Sequence, residues 1–111
     1  MFFEFNQNNS GGDFVVDDRV CHHVIIEASS ADQANEIAEA VGIYFNGVDD
    51  GVDCDCCGDR WYPQWGSAAG TEDPLIYGQD PTKYVDRFTE AGEVYCRIYY
   101  KDGLIAEHKA P

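Results

Sequence analysis

The chain has 111 residues, 44% hydrophobic and 14% aromatic, which suits one folded domain over 1–111 with a single modest core. Its formal net charge of −14 argues against direct contact with nucleic acid or anionic membrane. No apolar run reaches the roughly 18 residues that a membrane span needs. The charge is uneven. Residues 1–59 carry thirteen acidic side chains against Arg19 alone, a net −12, whereas residues 60–111 carry eight against six basic ones, a net −2.

In chain order, Phe2–Phe5 reads as a short strand, and Asn6 to Gly12 is nearly pure turn chemistry. The opening MFFEFNQNNS has no basic region before its apolar start and no cleavage pattern, which points to the cytoplasm. Phe14-Val15-Val16 is extended, and Asp17-Asp18 makes the next turn. Val20–Ala28 is the clearest central strand, with Val20, His22, Val24 and Ile26 on one face and Cys21, His23 and Ile25 on the other. A helix follows, with Ser30 as N-cap, Gln33 in the capping-box position and Gly42 after its end. Ala34, Ile37, Ala38 and Val41 form its buried stripe. Asp32, Glu36 and Glu39 occupy the opposite side with no Lys or Arg in the helix, an arrangement that costs roughly 0.2–0.5 kcal/mol per like-charged pair.

Ile43–Phe45 suggests a brief strand leading into a cysteine-rich loop. After Trp65 the chain is loop, with Pro74–Gly78 extended at most. Asp80 as N-cap, Pro81 at N1 and an apolar set of Tyr84, Val85, Phe88 and Ala91 predict a second helix ending at Gly92. The final element is a hairpin, Glu93–Tyr100 and Leu104–Lys109, turning at Lys101-Asp102-Gly103. Its preferred register sets Cys96 opposite His108, Arg97 opposite Glu107, Ile98 opposite Ala106 and Tyr95 opposite Lys109. The fold class is α+β, an antiparallel sheet with two short helices and a cysteine-rich loop.

That loop holds three of the five cysteines. Cys54-x-x-Cys57-Gly58 has the spacing of a metal knuckle, because two cysteines three apart can turn both sulfurs toward one ion. An odd cysteine count with three crowded together suits metal or free thiols better than a disulfide framework. Cys54 and Cys57, completed by Cys96 and His108 across the hairpin, would make a closed zinc site stapling the middle of the chain to its end. Cys21, Cys56, His22 and His23 are alternative ligands. On this reading Cys57 matters greatly for stability and Cys21 little. An EF-hand reading of Asp53-x-Asp55-x-Cys57-Gly58 fails, since the fifth position is cysteine and the twelfth, Gln64, cannot chelate as glutamate does. No isolated nucleophile–base pair or carboxylate pair stands out, so catalysis is not expected.

The strings QNNSGG-x-F (Gln7–Phe14), VIIEA (Val24–Ala28), GIYFNG (Gly42–Gly47) and DC-x-CCGDRWY (Asp53–Tyr62) resemble a family of small, uncharacterised bacteriophage proteins over roughly the first 65 residues. The resemblance implies an infected bacterial cytoplasm and carries no mechanism. Small acidic phage proteins often bind and disable host machinery, defence systems included. Together with the charge, this favours a non-enzymatic inhibitor that mimics DNA and binds a basic host protein through Asp32, Glu36, Glu39, Asp49 and Asp50. The alternatives are a nucleotide- or small-molecule-sequestering module and a zinc-stabilised structural protein. The first rests on the Asn8–Gly12 loop as an anion nest and on Tyr44, Phe45, Trp61, Tyr62 and Trp65 for stacking.

Overall fold

A computed structural model describes residues 1–9 and 13–111, so the anion nest expected at Asn8–Gly12 lies largely outside the described residues. Four strands, β1 (Phe2–Asn6), β2 (His23–Glu27), β3 (Val94–Tyr99) and β4 (Ile105–Lys109), form one sheet in the order β1-β2-β3-β4. β1 pairs with β2 and β3 with β4 antiparallel, but β2 and β3 run parallel. The sheet is therefore mixed, which corrects the antiparallel expectation. Parallel neighbours need a long connection, and here residues 28–93 provide it.

β2 is the central strand, and its length is shorter than the apolar run because the chain bends at His22. Alternation along β2 sends Val24 and Ile26 to one face, where they pack with Phe3 and Phe5, and sends Ile25 to the other, with Cys96 and Ile98. The first face is covered by α1 (Ala31–Ala40), which buries Ala31, Ala34 and Ala38, and by Trp61 and Ile43. The second is covered by Ile76, Tyr84 and neighbouring loop. Ser30 caps α1 as expected: its Oγ accepts from the Gln33 N–H at 3.1 Å, while Gln33 Oε1 accepts from the Ser29 N–H. Gly42 follows the Val41 C-cap at φ +106°.

The hairpin pairs Cys96 with His108, Arg97 with Glu107, Ile98 with Ala106 and Tyr99 with Ile105, as the sequence register requires. An irregularity between Val94 and Cys96 then sets Val94, rather than Tyr95, opposite Lys109.

Two expected elements, the Ile43–Phe45 strand and the second helix, are absent among the described residues, and the extended Phe14–Val16 stretch joins no strand there. Phe14–Val16 pairs with a side chain instead of a strand: Gln7 Oε1 accepts from the Val15 N–H at 2.6 Å and Gln7 Nε2 donates to the Val15 carbonyl at 3.0 Å. Ile43–Phe45 packs on the core without strand pairing. The second helix stops after one turn, where the Lys83 and Tyr84 amides donate to the Asp80 carbonyl. Asp80 then accepts from the Thr82 N–H, and Asp86 from the Phe88 N–H at 2.9 Å. Aspartates that bond the amides just downstream compete with helical pairing. Thr82, Val85 and Thr89 are β-branched and resist a helix further.

Candidate functional site

Residues 46–65 contain few apolar anchors, and a set of polar contacts ties them together. Asp53 is the hub, with a side chain 1% exposed. Its Oδ1 accepts from Tyr44 OH at 2.6 Å, its Oδ2 accepts from the Arg60 N–H at 2.7 Å, and Arg60 Nε lies 3.8 Å away. Asn8 Nδ2 donates to the carbonyls of Cys57 and Asp59, and Asp59 Oδ1 accepts from the Val48 N–H. Trp61, 1% exposed, anchors the segment in the core, so it is not a stacking platform. Tyr62 and Trp65 are the exposed aromatics of this loop, and Trp65 is 83% exposed.

Cys54, Cys56 and Cys57 are gathered at the surface, with ligand atoms within 4.8 Å of one another, a grouping that could hold a metal ion. Cys54 and Cys56 are disulfide-bonded, and Cys57 Sγ sits 3.4 Å from Cys56 Sγ. A disulfide therefore stands where the sequence favoured metal or free thiols, joining the expected ligand Cys54 to the alternative ligand Cys56. Cys96 and His108 face each other across the hairpin but do not join this cluster. Cys96 is fully buried with Ile25, Ile76, Tyr95 and Ile98, and burial pushes its thiol well up. The expected four-ligand set is therefore not assembled. Cys21 is likewise fully buried, and burial pushes its thiol up to about 12.

The acidic residues stand where expected. Asp32, Glu36 and Glu39 are exposed on α1, and Asp49 and Asp50 are exposed in the turn beyond it. None of them forms an ion pair among the described residues. Two arginines that could soften the charge face inward. Arg60 donates to Gln7 Oε1 at 2.7 Å, and Arg97 donates to the Val20 carbonyl and pairs with Glu107 at 2.7 Å.

A second constellation lies at the start of β2. The bend at His22 breaks strand alternation, so the His22 and His23 rings stack with centroids 3.9 Å apart instead of pointing to opposite faces. Asp86, from the loop expected to be helical, meets them. Its Oδ2 lies 2.8 Å from His22 Nδ1 and 3.9 Å from His23 Nε2. A carboxylate only accepts, so His22 donates. Burial raises the Asp86 pKa, but the Phe88 N–H, the Thr89 hydroxyl and His22 outweigh it and hold the group below the usual carboxylate range. Burial, with the stacked His22 adding to it and Asp86 opposing, pushes His23 down to about 3, so its ring is neutral near pH 7.

Among the described residues no helix is long and apolar enough to cross a membrane. No curated protein and no solved structure matches the chain. One family model does, that of a domain of unknown function, DUF7296, over residues 1–110. Spanning nearly the whole sequence, that match assigns the chain to the DUF7296 family.

Proposed function

We propose that this is a non-catalytic, phage-encoded binding protein of the host bacterial cytoplasm, which inhibits a basic host protein by occupying a surface that normally holds nucleic acid. The observation carrying this reading is the row Asp32, Glu36 and Glu39, continued by Asp49 and Asp50, exposed and without ion pairs among the described residues. Their repulsion is a standing cost that a basic partner relieves on binding. Such a field also speeds encounter and weakens with salt, since exposed charges are screened over about 8 Å at physiological ionic strength.

The test is affinity capture from bacterial lysate with the parent chain and with Asp32→Asn/Glu36→Gln/Glu39→Gln, which removes charge and keeps shape. The parent should retain basic proteins at low ionic strength and release them to added DNA or high salt, and the variant should retain far less. Equal retention by both chains, or retention indifferent to DNA and salt, refutes the mimicry.

A second role rests on the sulfur loop. With the Cys54–Cys56 bond reduced, Cys54, Cys56 and Cys57 supply three of the four ligands that a structural zinc ion takes. The zinc proposal then involves these three thiols, with Cys96 and His108 outside it.

A further inference from the structure

We infer that His22, His23 and Asp86 form a binding site for a divalent transition-metal ion, separate from both the sulfur loop and the acidic face. One nitrogen from each imidazole and one carboxylate oxygen lie within 4.8 Å of one another. That alone describes many buried clusters. The deciding observation is His23 Nε2, which is fully buried and has no hydrogen-bond partner among the described residues.

The surrounding network fixes what that nitrogen carries. Glu4 Oε1 only accepts, so the Asn6 Nδ2 that lies 2.7 Å from it is correctly the donor end of the amide. Tyr77 N–H donates to the same Glu4 oxygen at 3.0 Å. Asn6 Oδ1 therefore faces His23 Nδ1 at 2.6 Å and accepts from it. With the proton of the neutral ring on Nδ1, Nε2 presents a bare lone pair. It points at Asp86 Oδ2, another acceptor, 3.9 Å away. Two acceptors facing each other in a dry interior repel unless something positive or proton-bearing lies between them.

A metal ion fits both the chemistry and the spacing. A second hydrogen bond from a ligating histidine to a carbonyl oxygen, as Asn6 provides, is how metal sites orient imidazole and raise its basicity. Two imidazoles and one carboxylate suit zinc, iron, cobalt or nickel rather than calcium or magnesium. Tetrahedral ligands at about 2.0–2.1 Å sit roughly 3.4 Å from each other. The 2.8 Å and 3.9 Å from Asp86 Oδ2 bracket that figure, so small ring movements complete the geometry once the ion displaces the His22 Nδ1 proton that Asp86 accepts in its absence. Asp86 also lines a 270 Å³ cleft with Thr82, Tyr84 and Tyr95, beside the site.

Cobalt(II) is the probe, titrated into the chelator-stripped full-length protein and into its Cys54→Ser/Cys56→Ser/Cys57→Ser variant. The serine variant should take up one cobalt per chain, with visible d–d bands and no near-ultraviolet thiolate band. In that background, Asp86→Asn keeps Oδ1 as the acceptor for the Phe88 N–H and reverses the Thr89 contact, its hydroxyl accepting from the new NH2, and His23→Gln keeps a donor for Asn6. Each should weaken cobalt binding at least about tenfold, with unchanged circular dichroism for Asp86→Asn. Asn6→Ala should weaken it by a similar factor without touching a ligand. No saturable binding to the serine variant overturns the site, as does binding that Asp86→Asn leaves unchanged.

Discussion

His23 should make the apo-protein acid-sensitive in a window that opens well above the range of its carboxylates. Its ring titrates at 6.5 when unfolded and near 3 when folded. The folded state therefore favours the neutral ring, so this contribution to stability is full above pH 6.5 and is lost as the pH falls toward 3. At about pH 4.5 the unfolded ring has gained its proton and the folded one has not, two pH units into the window, at about 1.4 kcal/mol per unit or about 3 kcal/mol in all. The titratable groups facing the ring are His22, Asp86, Tyr77 and Tyr84, and burial raises both phenols further above their ordinary range, so they stay neutral throughout. Asp86 does not blur the reading, because its lowered pKa confines its own effect to pH values below the ordinary 3.8. Relief of self-repulsion as other carboxylates protonate acts in the opposite direction. The difference between parent and His23→Gln cancels that background. Urea unfolding of both chains, with chelator present, should show the parent's advantage over the variant shrink by about 3 kcal/mol between pH 7.5 and about pH 4.5. A difference independent of pH refutes the buried, neutral assignment of His23.

Asp53→Ala should cost about 3 kcal/mol by urea unfolding, because it strands the Tyr44 hydroxyl and the Arg60 amide and leaves the Arg60 guanidinium without its carboxylate. In metal-free protein, burial favours the opposite of the cysteine ranking expected for the zinc-bound chain. Cys21→Ser places a hydroxyl in the apolar core and should cost about 1–3 kcal/mol, whereas Cys57→Ser at the surface should shift the unfolding midpoint little in metal-free protein.

Local signals carried well from sequence to structure and distant ones did not. Helix α1 was legible because Ser30, Gln33 and Gly42 act within a few residues of its ends. The hairpin register was legible because a short turn and the Arg97–Glu107 pairing leave few alternatives. The second helix misled because its apolar spacing ignored what Asp80 and Asp86 do to nearby amides. Nothing local to β2 and β3 announced that they pair parallel, since their partnership is settled by packing across residues 28–93. The histidine site was hidden twice. Strict alternation assigned His22 and His23 to opposite faces, and Asp86 lies 64 residues from His22. The run Cys21-His22-His23 was the one visible hint.

The parallel seam also shapes how the chain assembles. β3 and β4 are joined through residues 100–104 and β1 and β2 through residues 7–22, but the seam between β2 and β3 must close over residues 28–93. Loop closure grows only slowly with length, so the seam costs about 1 kcal/mol more to close than the β1–β2 ribbon. Its larger effect is on rate, because pairings distant in sequence slow folding. Sequence separation alone favours the two ribbons forming before the seam between them closes. Until residues 94–99 have been synthesised, a nascent chain therefore carries the edge of β2, with its run of Val24, Ile25 and Ile26, open to pairing with a second chain.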